Sequence, residues 1–161
     1  MPKMRDQIKF RGYLEFVLKD ARTGKVIRRG KTRNTVTCWG RGWAMAKLTP
    51  ASDAQVLSAI AIGSISSTAP ASNQSVLGGY LTIRNFGTTG LTSATNSACT
   101  FYGAVSFNTN ETFSSSSQIG EFAIYNSAST GSGAMFDRLV TATYINFATS
   151  NTLAISISIT N

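Results

Sequence analysis

The sequence contains no histidine, only two cysteines and only seven acidic residues in 161 positions. Without histidine, it lacks the commonest general base, the commonest zinc ligand and the usual partner of a catalytic serine or cysteine. Cys38 and Cys99 lie far apart and cannot complete a metal site alone. We expect two reduced, partly buried thiols, and a disulfide between them is the alternative. The sequence therefore predicts no metal, no cofactor and no enzymatic activity.

A carboxylate pair is the hydrolytic site that this composition still permits, because a glycosidase needs only two acids at a fixed separation. Glu121 and Asp137 are the candidates, if they face each other across a sheet. The alternative is a structural pair between an acid and Arg138 on a neighbouring strand, which fixes the register and needs no substrate. We favour this alternative and take Glu121 and Arg138 as a structural pair. The glycines of "GTTGLTS" and "STGSGAM" lack the spacing of a phosphate-binding loop, so both stretches are interpreted as loops.

Long apolar runs are also missing. No stretch of 18 apolar residues occurs, so we expect no transmembrane helix, and the basic N-terminus lacks the apolar run of a signal peptide. The length fits one domain with its own core. Charged residues make up only 14% of the chain, and serine, threonine, asparagine and glycine replace them, which is typical of all-β proteins with many turns.

Positive charge is concentrated at one end. Residues 1–47 hold 13 Lys/Arg and 3 Asp/Glu, a net charge of +10, whereas the remaining residues have a net charge of −2. The segment "IKFRGYLEFVLKD" alternates apolar and polar positions, "ARTG" forms a turn, and "KVIRRGKTRNTVT" returns, which predicts a long basic β-hairpin over residues 8–37. A basic arm of this kind can dock on an acidic protein surface or bind nucleic acid, and we favour protein. The predicted docking residues are Arg22, Lys25, Arg28, Arg29, Lys31, Arg33, Trp39, Arg41 and Trp43.

One short helix is predicted in "CWGRGWAMAKLTP", ending before Pro50. From residue 59 onward, short strands at intervals of about ten residues alternate with polar loops, which predicts a β-sandwich or jelly-roll-like domain. The stretch "GTTGLTSATNSA" is predicted to be one of these loops. The chain then divides into a basic hairpin arm plus helix at 1–48 and a sandwich body at 49–161, within one compact domain. The predicted core residues around the last hairpin are Ile119, Phe122, Ile124, Met135, Leu139 and Tyr144.

The order of these segments resembles a group of small virion proteins of tailed bacteriophages. The resemblance lies in "KDARTGKVIRRGKTRNTVT" before "WGRGWAMAKL", then "IAIGSISSTAPASNQSVL", and finally "IGEFAIYNSASTGSGAMFDRLVTATYINFATSNTLAISISI". It covers nearly the whole chain, although each matching piece is short. The chain departs from the pattern after "SVL", where "GGY" replaces an expected acidic residue, and before the last strand, where "ATSN" has no glycine or lysine.

The resemblance implies a structural subunit of the virion, assembled in the host cytoplasm. The expected role is a capsid decoration or cement protein that docks on the major capsid protein as a symmetric homo-oligomer. A fibre or adaptor protein of the neck, tail or baseplate is the alternative within the same class. A nucleic-acid-binding module and a carbohydrate-binding or carbohydrate-hydrolysing sandwich remain as alternatives outside it.

Overall fold

The computed structural model describes residues 11–33, 35–38, 40, 57–64, 76–95, 98–108, 113, 118–127 and 134–160. These residues form two antiparallel sheets, which confirms the predicted all-β sandwich. Sheet A has the strand order β2-β1-β10-β7-β6, and sheet B has the order β3-β9-β8-β4-β5. The strands are β1 (Arg11–Asp20), β2 (Val26–Arg33), β3 (Thr35–Val36), β4 (Ala59–Gly63), β5 (Tyr80–Asn85), β6 (Thr88–Thr95), β7 (Ala98–Phe107), β8 (Gln118–Tyr125), β9 (Met135–Asn146) and β10 (Asn151–Thr160).

The core lies between the two sheets and follows from residue alternation. Side chains alternate between the two faces of a strand, so a period of two in hydrophobicity places every second residue in the core. On β10 the buried residues are Leu153, Ile155, Ile157 and Ile159, and on the neighbouring β1 they are Leu14, Phe16 and Leu18. From sheet B, Phe122 meets them, and its ring stacks on that of Phe16 at a centroid distance of 6.3 Å. The strand predicted in "IKFRGYLEFVLKD" is therefore confirmed over Arg11–Asp20.

The predicted basic hairpin is formed by β1 and β2. Its turn is closed by Asp20, whose carboxylate accepts hydrogen bonds from the Thr23 backbone N–H at 2.7 Å and from the Thr23 hydroxyl at 2.8 Å. These bonds stabilise the charged form and lower the pKa of Asp20. Gly24 follows with a φ of 70°, a conformation that glycine adopts without steric cost. Because β1 pairs with β10 as well as β2, the hairpin is part of sheet A.

The stretch predicted to be the loop "GTTGLTSATNSA" contains a strand, so that prediction is wrong. Thr88–Thr95 form β6, which pairs with β7 at the edge of sheet A and carries a register shift between Leu91 and Ser93. Glycine, serine and asparagine suggested a loop, but threonine is β-branched and favours strands. An edge strand with a bulge also tolerates polar and glycine residues that a central strand excludes.

Tyr144 is 41% exposed, so its predicted place in the core is also wrong. The pairing of β8 with β9 changes register here: Ile119 lies opposite Ile145, whereas Glu121 lies opposite Val140. Two steps along β8 thus correspond to five along β9, and the extra residues bulge out of the ladder with Tyr144 among them. The other predicted core residues of this hairpin are buried: Ile119, Phe122, Ile124, Met135 and Leu139.

Most of the predicted short helix, including Trp39, Arg41 and Trp43, lies outside the described residues. At its start, the Thr37 hydroxyl accepts a hydrogen bond from the Gly40 N–H at 3.0 Å, which is the geometry of a helix N-cap. Cys38 is exposed, whereas partial burial was expected. Across the described ranges, no helix is long and apolar enough to span a membrane.

Candidate docking surface

The alternation of β2 divides the predicted docking residues into two sets. Arg29, Lys31 and Arg33 lie on the solvent-exposed side of the strand, together with Ile27, which is 53% exposed. We call Arg29, Lys31 and Arg33 the basic row. Arg22 and Lys25 are also exposed, but they lie in the turn and next to it rather than in the row. The four cations of β2 thus give a single exposed line of three, because Arg28 lies on the other face.

Arg28 lies on the opposite face of β2, where it bonds to the other sheet. Its guanidinium donates hydrogen bonds to the Tyr144 carbonyl oxygen and to the Thr143 hydroxyl on β9, and it lies 5.7 Å from the centroid of the Phe16 ring. These contacts join the edge of sheet A to sheet B. Arg28 is therefore engaged within the protein, and we remove it from the predicted docking set.

Gly30, two residues further along the same side, makes room for the core beneath β2. A β-carbon at this position would lie 2.6 Å from two carbons of the Phe16 ring, closer than any real contact. Thr32 then directs its hydroxyl toward the Val140 carbonyl oxygen at 3.5 Å. The inner face of β2 is thus packed on Phe16 and bonded to β9 through Arg28, and the basic row lies on the outer face of the same strand.

Within the basic row, Lys31 already has local partners. Its ammonium lies 2.6 Å from a carboxylate oxygen of Glu15 and 4.7 Å from the centroid of the Tyr13 ring. Both charged side chains of the pair are more than half exposed, so this contact is worth little on its own. In the part of the chain that the structure describes, no ion pair is found for Arg29 or Arg33. Both side chains are exposed, and no described carboxylate neutralises their positive charge.

Arg84 mirrors Arg28 at the opposite edge of the sandwich. It projects from β5 of sheet B, donates a hydrogen bond to the Ser106 carbonyl oxygen of β7 at 3.0 Å and lies 5.2 Å from the centroid of the Phe107 ring. Each edge is thus closed by an arginine that covers a phenylalanine and bonds to the backbone of the other sheet. Neither role is visible in the sequence, because each contact joins residues that are distant in the chain and depends on how the two sheets pack.

The predicted pair of Glu121 and Arg138 is present and buried on the face of sheet B that points away from the core. Arg138 donates from Nε at 3.0 Å and from a terminal nitrogen at 2.7 Å to the same oxygen of Glu121. The other oxygen of Glu121 accepts a hydrogen bond from the Gly79 backbone N–H at 2.7 Å. The two side chains are 0% and 1% exposed. Both carboxylate oxygens are therefore occupied by groups of the protein itself.

Glu121 and Asp137 do not face each other across the sheet, as the glycosidase alternative supposed. Asp137 lies opposite Ile124, three residues along β8 from Glu121, so the two acids are not cross-strand partners.

Tyr125 lies in the neighbourhood of the ion pair, and burial raises the pKa of its phenol, with the negative charge of Glu121 acting in the same direction. A tyrosine that holds its proton tightly is poorly suited to give it up at neutral pH.

Small residues on β4 make this buried arrangement fit. Gly63 lies directly opposite Glu121, and a β-carbon there would lie 2.6 Å from the carboxylate side chain. The same face of β4 carries Ala59 and Ala61, which are buried together with Leu77 and Met135. Sequence reasoning identified the ion pair but missed the contribution of Gly79, since a backbone donor leaves no signal in the sequence.

A scan against models of known protein families and searches of the curated proteins and of the solved structures find no match to this chain. Its function is therefore inferred from the side chains described above. They comprise one buried, satisfied ion pair and one exposed row of cations.

Proposed function

We propose that this chain is a non-enzymatic structural subunit of a tailed-phage particle that docks on a neighbouring virion protein through the basic row of β2. Capsid decoration is the proposed role, with the major capsid protein as the partner. A place on the neck, tail or baseplate is the alternative within the same class, and the copy number per particle distinguishes them. Many copies spread over the capsid would support decoration, and a few at one vertex would support the alternative.

The exposed charge of Arg29 and Arg33 is the observation that carries this proposal. Arginine is enriched at protein interfaces because its planar guanidinium binds carboxylates through two hydrogen bonds at once. The strand that bears these residues is fastened to β9 by the hydrogen bonds of Arg28 on its other face. A partner therefore meets a preformed surface, and less conformational entropy is lost on binding than a flexible arm would lose.

The residues behind the resemblance to phage virion proteins have structural tasks in this fold. Asp20, Thr23 and Gly24 close the turn that positions β2. Glu121 and Arg138 join β8 to β9, and Gly63 gives Glu121 its space. These tasks shape and hold a sandwich, and they fit a protein that works by adhesion.

A symmetric homo-oligomer is part of the proposal, because one row of three cations gives only a modest affinity. When several copies dock together, each further contact forms at a high effective concentration, and the combined attachment is much tighter than any single one. Breaking one contact then no longer releases the subunit, because the other contacts still hold it.

Replacing both Arg29 and Arg33 by glutamine is expected to reduce the occupancy of this chain on purified particles roughly tenfold, which corresponds to about 1.4 kcal/mol. The reason is that the variant loses the two cations of the row for which the described residues provide no ion pair, while the inner face of β2 is untouched. Occupancy is measured by quantitative mass spectrometry of particles assembled with the variant as the only copy.

The matched control replaces Arg11 and Lys19 by glutamine, two exposed cations of β1 in the same hairpin. This control removes the same charge and is expected to stay near wild-type occupancy. Thermal unfolding of both variants checks that the fold is kept. Equal occupancy of the two double variants would refute docking through the basic row, and absence of the wild-type chain from particles would refute the virion role altogether.

A further inference from the structure

Strand β2 is an open edge of sheet A. One hydrogen-bonding edge of β2 pairs with β1, and within the described ranges no strand pairs with its other edge. In an antiparallel sheet, the backbone N–H and C=O groups of alternate residues point to opposite sides of the strand. About half of the backbone groups of β2 therefore point outward, where another strand can bond to them.

The basic row has the spacing of a strand, since its members occupy every second position. Successive members are thus separated by about 6.5–7 Å. A strand that lies alongside β2 places its own alternate side chains about 5 Å from those of the row. Carboxylates at every second position of that strand would each meet one cation, whereas lysine or arginine at those positions would be repelled.

We propose that β2 accepts an extended acidic segment of the neighbouring virion subunit as an additional strand of sheet A, with acidic residues at alternate positions facing Arg29, Lys31 and Arg33. This inference rests on the proposed function and names the chemistry of its partner. Backbone hydrogen bonds along the edge supply affinity that is independent of side chains, and the alternating charges select the register and the partner. Ile27, exposed in the same line as the row, offers an apolar contact at one end.

Charged residues on an edge strand can also serve only to keep sheets from associating. Two features of this edge favour recognition. First, the row consists of one sign of charge, so it discriminates between partners instead of repelling every strand. Second, the hydrogen bonds of Arg28 hold the inner face of β2 against β9, so the edge has strand geometry before any partner arrives.

The test uses the full chain and three synthetic peptides of equal length and charge. The first has glutamate at every second position with threonine and valine between. The second has the same composition with the glutamates clustered, and the third keeps the alternating glutamates but has proline between them, which cannot donate the backbone hydrogen bonds of a ladder. Affinity is measured by fluorescence anisotropy at physiological salt, and backbone hydrogen exchange is followed on β2.

The alternating peptide is expected to bind at least about tenfold more tightly than the other two and to slow exchange of the β2 amides. Its affinity should fall to that of the clustered peptide in the Arg29→Gln, Arg33→Gln variant and stay unchanged in the Arg11→Gln, Lys19→Gln variant. Equal binding of all three peptides, or binding without protection of β2, would overturn strand addition.

Tighter binding of a single-stranded DNA oligonucleotide than of the alternating peptide would also overturn it, in favour of nucleic acid. If particle occupancy depends on Arg29 and Arg33 but the peptides do not differ, the proposed function stands and strand addition fails. If the alternating peptide binds as expected but the chain is absent from particles, strand recognition stands and the virion role fails.

Discussion

Replacing Arg138 by methionine is expected to lower the free energy of unfolding by about 3–5 kcal/mol. The substitution keeps much of the side-chain volume but removes the cation that faces Glu121. The carboxylate is 0% exposed and would remain buried with the Gly79 N–H as its described donor. Burial of an unpaired charge is among the most costly changes a folded protein can undergo. Denaturant unfolding at neutral pH measures the loss.

Two further variants test whether the buried charge causes this loss. In the double variant Glu121→Gln, Arg138→Met, no charge is left, and the amide oxygen can still accept the hydrogen bond from Gly79. Most of the stability should return, because a buried ion pair contributes little beyond its neutral replacement. Lys31→Met, which breaks the exposed pair with Glu15, should cost less than about 1 kcal/mol. If Arg138→Met lowers the free energy of unfolding no more than Lys31→Met does, the ion pair of Glu121 and Arg138 does not stabilise the fold.

Replacing Gly63 by alanine is expected to destabilise the protein by about 1–3 kcal/mol, the usual cost of overpacking a filled site. The new β-carbon would lie 2.6 Å from Cγ and from one carboxylate oxygen of Glu121, so the glutamate must move away from Arg138 or Gly79. The cost therefore comes from displacing the ion pair and not from the backbone of β4. Denaturant unfolding again provides the measurement.

The origin of this cost can be isolated by repeating Gly63→Ala in a Glu121→Ala background. With the glutamate side chain removed, the added methyl group has space, and the further loss of stability should be close to zero. Gly87→Ala is the matched control, since the nearest atom to its β-carbon is the Ala104 carbonyl oxygen at 4.0 Å. An equal cost of Gly63→Ala in both backgrounds would show that the two side chains do not compete for space.

The sequence predicts those parts of the fold that depend on local patterns. Leu153, Ile155 and Ile157 alternate with small polar residues, and this period of two is enough to predict a strand with one buried face. The pair of Glu121 and Arg138 was accessible for a similar reason, because the two residues lie at diagonal positions on neighbouring strands of one hairpin, and contacts between such strands are a short-range feature.

Features that depend on register or on packing between sheets were not accessible in this way. The exposure of Tyr144 results from the irregular pairing of β8 with β9, and the periodicity of β9 alone does not contain that irregularity. The inward orientation of Arg28 similarly depends on which alternate residues of β2 face the core and on the proximity of β9. From the sequence, Arg28 and Arg29 are two equivalent cations, whereas in the fold one fastens the sandwich and the other faces solvent.

The proposed function depends on the difference between charges that stabilise the fold and charges that face solvent. The buried charges of Glu121 and Arg138 shape sheet B, and Arg28 and Arg84 close the two edges of the sandwich. The outer face of β2 carries a line of positive charge, and the attraction of this line to a partner falls with salt because exposed charges are screened. Such a line is suited to binding a surface rather than to converting a substrate.

A cryo-electron microscopy map of the parent phage particle tests this account most directly. We expect density for this sandwich at repeated positions on the particle, with the edge of β2 against a neighbouring subunit and acidic side chains within ion-pair distance of Arg29 and Arg33. A particle that contains no such density, or one in which the basic row faces solvent while another surface makes the contact, would contradict it.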